Sequence, residues 1–139
     1  MGRVRAAEAV IAIDTNIVVR FLTRDDPAQA ARARSLLETS STFLLKTVVL
    51  ETEWVLRTQY RFARDTVGAG IARLLGLPGV EVEDAAGVAR ALEWYGHGLA
   101  FADALHLASC GQASAFATFD RALRRRARAR PEIIPVIAP

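Results

Sequence analysis

The sequence predicts an α/β fold: a three-layer α/β/α sandwich on a mostly parallel central sheet. Short apolar, β-branched runs recur at residues 9–13, 43–45, 80–82, 114–119 and 133–137. Stretches with helical periodicity separate them, as the crossovers between parallel strands require. The first two runs lack polar alternation, the pattern of strands covered by helices on both faces. At 139 residues the chain is near the modal size of one domain, so 1–139 is read as a single domain.

Each element has a local reason. The first strand ends at Asp14, and a helix follows through Leu22. Asp26 and Pro27 form an N-cap with proline at the first helical position, and Ala30, Ala33 and Leu37 make the inward stripe of the second helix. After the second strand, Thr47 is placed to cap a third helix running through Val48, Glu51 and Val55 to about Tyr60. Asp65 and Thr66 open a fourth, which the Gly76-Leu77-Pro78-Gly79 segment breaks before the third strand. Glu83 and Asp84 begin a fifth, ended by Gly96-His97-Gly98. Asp103 lies at the start of a sixth, Asp120 caps a basic seventh after the fourth strand, and Pro131 stops it. Proline within the last run suggests a sheet edge.

Composition narrows the function classes. Apolar residues make up 52% and charged residues 24%, which is globular usage and argues against a disordered chain. No apolar run approaches a membrane span, and Met1-Gly2-Arg3-Val4-Arg5 carries no signal-peptide pattern, so the expected location is cytoplasmic with no membrane partner. Cys110 is the only cysteine, which excludes an intramolecular disulfide and a thiolate cluster. The net charge of +3 is uneven, because six arginines fall within residues 121–130. Such a patch can meet a polyanion through planar guanidinium forks; a genome biased toward Arg and Ala codons explains the overall excess better and this cluster about equally well.

Four acids carry the chemistry. Asp14, Asp103 and Asp120 stand at the starts of helices, where N-capping is the alternative role. Capping cannot explain Glu51, which lies inside a helix on a mostly apolar stripe; its alternative is reaching out to solvent. Acids converging at one strand-end crevice would repel one another unless a cation neutralised them. Carboxylate ligation suits Mg²⁺ or Mn²⁺ rather than zinc, since neither histidine has a partner at ligand spacing. Such a site hydrolyses phosphodiesters without a protein nucleophile.

The motifs Ile13-Asp14-Thr15-Asn16, Val49-Leu50-Glu51-Thr52-Glu53-Trp54-Val55-Leu56, Phe101-Ala102-Asp103-Ala104-Leu105-His106 and Thr118-Phe119-Asp120 occur in that order along nearly the whole chain. Together they resemble the PIN-domain ribonucleases, in particular the VapC toxins of VapBC toxin–antitoxin pairs. The resemblance implies a metal-dependent endoribonuclease acting on RNA, such as structured transfer RNA, with Mg²⁺ or Mn²⁺ as cofactor. By the same resemblance Asp14, Glu51, Asp103 and Asp120 are the metal-binding catalytic acids, and Asn16 and Thr118 are supporting polar residues. It also implies a cognate VapB-like antitoxin and a homodimer. One position departs from the pattern: Ala100 stands where many relatives carry an aspartate, which bears on the number of metals.

Other residues are weighed beside these. Glu53 competes for the role of Glu51, but two residues along a helix turn it about 200° away. Arg121, Arg124 and Arg125 follow Asp120 and are candidates for RNA phosphates, or simply solvate an exposed face. His97, His106, Trp54 and Trp94 are read as structural, both tryptophans as core. A phosphorylatable receiver needs a lysine near its last strands, and Lys46 is the lone lysine. The other competing reading is a catalytically inactive PIN-fold module that binds RNA or protein.

Overall fold

The structure, a computed structural model, describes residues 9–139; the signal-peptide expectation for Met1 to Arg5 falls outside them. The chain gathers into two compact units, one ending at Ala85 and the other spanning Ala86–Pro139.

In the first unit, β1 (Ile11–Ala12), β2 (Thr42–Leu44) and β3 (Val80–Val82) form a sheet in that order. Both pairings are parallel, with Ile11 opposite Thr42 and Leu44 opposite Val82. The central strand is the buried one, Thr42 and Leu44 both being fully enclosed. Helices α1 (Thr15–Thr23) and α2 (Pro27–Thr39) follow β1, and α3 (Lys46–Thr58) and α4 (Arg64–Leu75) follow β2. Val18, Val19, Leu37, Val49, Leu56, Ile71 and Leu74 form the buried stripes by which α1 packs on α2 and α3, and α3 on α4. At α2 the expected start holds: Asp26 Oδ1 accepts from the Gln29 N–H at 3.1 Å, and Pro27 opens the helix. Gly79 permits a close approach, since a Cβ there would stand 3.3 Å from the carbonyl oxygens of both Leu37 and Ser40.

Thr47 does not cap α3. Leu45 occupies the N-cap position without a side-chain bond, and the Lys46 N–H instead donates to Glu83 Oε1 at 2.8 Å. Glu83 therefore serves a helix start far back in the chain, not the next helix as expected. Asp84 has φ +51°, pairs with Lys46 Nζ at 3.1 Å, and leaves the next helix to start at Ala85. At α4 the N-cap is Ala63, and Asp65 lies one residue inside the helix.

The remaining helices are α5 (Ala85–Gly96), α6 (Phe101–Ala108) and α7 (Arg121–Arg128). In the second unit β4 (Phe116–Ala117) pairs in parallel with β5 (Val136–Ile137). Val88, Ala91, Trp94 and Tyr95 are the buried face of α5, and the Tyr95 ring meets Phe101 edge-on at 5.4 Å. Trp94 is core as expected, with Nε1 donating to Glu132 Oε2 at 3.0 Å. Its own backbone N–H, the Trp94 indole and then Arg130 hold the Glu132 carboxyl below the usual range. β5 is shorter than its apolar run because the residues before it bond in a turn, the Ile133 N–H going back to the Arg130 carbonyl; beside β1 and β4 the Ile13 and Thr118 N–H groups still cross to Phe43 and Ile137. No helix among the described residues is long and apolar enough to cross a membrane.

Candidate active site

Asp14 sits where β1 hands over to α1. Its backbone is extended, and Oδ1 accepts from the Thr15 N–H at 2.7 Å, so the carboxylate lies at a helix N-terminus that favours negative charge. Capping uses one oxygen and leaves the side chain exposed beside a cleft of about 390 Å³. Capping and ligation are thus compatible roles for Asp14.

Glu51 lines the same cleft from α3. The buried Thr15 donates its hydroxyl to Glu51 Oε1 at 2.5 Å, a short charge-assisted bond across 36 residues of sequence. The structure corrects one expectation here. Glu51 is exposed, so no desolvation penalty singles it out; the acid on the buried stripe is Glu53, 2% exposed and bonded to Arg57 Nε at 2.7 Å. The buried face of α3 runs through Val48, Val49, Thr52, Glu53 and Leu56, which puts Glu51 on its flank, facing the cleft. Asn16, on the first turn of α1, also lines the cleft.

Sequence reasoning missed a network at the rim. Tyr60 donates to Asp25 Oδ2 at 2.6 Å, Thr23 to Asp25 Oδ1 at 2.9 Å, and Arg20 Nη1 approaches Asp25 at 3.3 Å and Tyr60 at 3.1 Å. The Tyr60 bond first, then Thr23 and Arg20, hold the Asp25 carboxyl below the usual range. Arg20, Asp25 and Tyr60 all line the cleft. The acid doublet Asp25-Asp26 is the one local signal; nothing in the sequence ties Tyr60 to it.

The other two acids belong to the second unit. Asp120 is the N-cap of α7, Oδ1 accepting from the Leu123 N–H at 3.0 Å. Thr118 Oγ1 accepts from the Asp120 N–H at 3.0 Å, and Arg124 Nη1 donates to the Thr118 carbonyl at 2.7 Å. Asp103, half-buried, is the third residue of α6; the N-cap is Ala100, which offers no side-chain bond, so capping does not account for Asp103. Arg121 and Arg125 are exposed and Arg124 is partly covered. Among the described residues no three His, Cys, Asp or Glu side chains stand close enough to hold a metal ion as a group. His97 is exposed, and His106 stacks on Phe116 at 6.5 Å. Trp54 is 50% exposed on α3, against the expectation that it is core.

No curated protein matches the chain. The profile of the PIN domain matches residues 11–129, across both units and far more than half of the chain. Parallel strand pairing and seven helices among the described residues agree with the α/β class and the three-layer α/β/α sandwich read from the sequence. With a profile spanning both acid-bearing strand–helix junctions, the chain belongs to the PIN domain family.

Proposed function

We propose that this protein is a metal-dependent endoribonuclease, the toxin of a type II toxin–antitoxin pair, folded as one nuclease domain over 1–139. PIN domains are generally metal-dependent nucleases, and the match over 11–129 supports that activity here. The observation that carries the reading is the pairing of Asp14 and Glu51 at one cleft, with Thr15 joining them: its N–H goes to one carboxylate and its hydroxyl to the other.

The donor set fits a hard divalent cation, Mg²⁺ or Mn²⁺, because every candidate ligand is a carboxylate oxygen. Asp14 and Glu51 would hold it from the cleft, and Asp103 and Asp120 are proposed as metal-binding acids on their motif positions alone. When bound, such a cation lowers the pKa of water and offsets the charge that develops in phosphodiester hydrolysis. The protein's own part is positioning. Thr15 fixes both carboxylates of the cleft, Asn16 offers an amide at its edge, and Thr118 holds the backbone of Asp120. Arg121 and Arg125, with Arg124, supply positive charge for RNA phosphates. A VapB-like antitoxin, a homodimer and a cytoplasmic location complete the reading.

The test is incubation of total cellular RNA with the purified protein and Mg²⁺ or Mn²⁺, beside EDTA and Asp14→Asn controls. Discrete fragments that vanish in both controls are expected. Bound but intact RNA throughout would make the protein a binding module instead.

A further inference from the structure

Among the described residues Phe119 is the most exposed large apolar side chain, at 86%. A phenyl ring in water forgoes its usual burial, yet the backbone on either side of this one is held firmly. The Thr118 N–H donates to the Ile137 carbonyl at 2.9 Å, the Thr118 carbonyl accepts from Arg124, Thr118 Oγ1 accepts from the Asp120 N–H, and Asp120 caps α7. The ring therefore projects from a fixed turn, and little backbone freedom is left to lose on binding. Beyond the Asp120 cap, the helix that follows is cationic. Arg121 and Arg125 are exposed one helical turn apart on α7, so they share a face just beyond the ring.

A flat apolar face beside spaced guanidinium groups matches an unpaired nucleobase flanked by phosphates, the combination found where single strands are bound. We propose that Phe119 is a stacking platform for one unpaired RNA base, with Arg121 and Arg125 on the neighbouring phosphates. The choice of RNA rests on the nuclease reading; the stacking geometry does not. Charge favours this occupant over a protein surface, because the helix beyond the ring presents arginines rather than a continuing apolar patch.

The test uses unstructured RNA hexamers, each carrying one 2-aminopurine whose emission is quenched by stacking, bound in EDTA so that no cleavage intervenes. Phe119→Leu keeps an apolar side chain but removes the flat face; Phe119→Trp restores one. Being exposed, position 119 tolerates both, and unchanged melting temperatures verify it. The expected result is quenching at one RNA position by the protein, lost in Phe119→Leu with affinity weaker by roughly five- to a hundredfold, and kept in Phe119→Trp. Equal affinity and quenching in Phe119→Leu, or no RNA binding by the unaltered protein, overturns the proposal. So does a leucine variant that changes only self-association or antitoxin binding, which would make the ring a protein contact. Metal-dependent cleavage is scored separately: cleavage without stacking removes this inference and leaves the nuclease, while stacking without cleavage does the reverse.

Discussion

Two strand-to-helix junctions carry an N-capping aspartate, and they are secured differently. At β1–α1, Asp14 caps through the adjacent Thr15 N–H, and the Thr15 hydroxyl reaches 36 residues along the chain to Glu51 in a shared cleft. At β4–α7 the side-chain bonds that fix the cap are local and span no more than six residues: Asp120 N–H to Thr118 Oγ1, Leu123 N–H to Asp120 Oδ1, and Arg124 Nη1 to the Thr118 carbonyl. The difference teaches that an N-cap alone does not mark a site. What distinguishes Asp14 is that its junction is tied to a second carboxylate from a remote helix, a link that helix formation does not require.

The sharpest way to break this comparison is to delete one hydroxyl from each junction. Thr15→Val leaves the Asp14 cap, which uses a backbone N–H, but releases Glu51. RNA cleavage should fall roughly 10- to 100-fold, the cost of losing a group that orients a metal ligand, with melting lowered by roughly 2–4 °C for the lost hydrogen bond. Thr118→Val removes a local bond worth about 1 kcal/mol, so melting should fall by roughly 2–4 °C. Equal effects of the two changes on cleavage would erase the distinction.

A smaller effect sharpens it by asking whether the rim of the Asp14 cleft is structural. A carboxyl with a depressed pKa binds protons less readily when folded, so Asp25 contributes stability above its ordinary value of 3.8 and loses that contribution as pH falls below it. Tyr60→Phe removes the largest cause of the depression. The variant should melt below the unaltered protein at neutral pH, and the gap should narrow as pH falls below 3.8. A gap that persists at the acid end would assign the loss to packing of the ring, not to Asp25.

The sequence was readable where structure is local. Asp26-Pro27 announces α2, and apolar runs mark all five described strands, because each signal needs only a few neighbouring residues. It failed where the partner is distant. Thr47 looks like a cap until Glu83, 37 residues beyond Lys46, takes the Lys46 N–H. Periodicity placed Glu51 on an apolar stripe but could not separate the stripe from its flank, and so Glu53 is the buried acid. The Arg20–Asp25–Tyr60 network joins the ends of two helices and leaves no sequence spacing to detect. Phe119 sits within a motif, yet its exposure depends on tertiary packing.

The central claim is that Asp14 and Glu51 together hold a divalent cation, and Mn²⁺ titration followed by electron paramagnetic resonance tests it most directly, with the protein beside Asp14→Asn and Glu51→Gln. The account predicts that the protein binds Mn²⁺, that each variant weakens binding at least roughly tenfold, and that both variants stay folded. Binding left intact in both variants would contradict it.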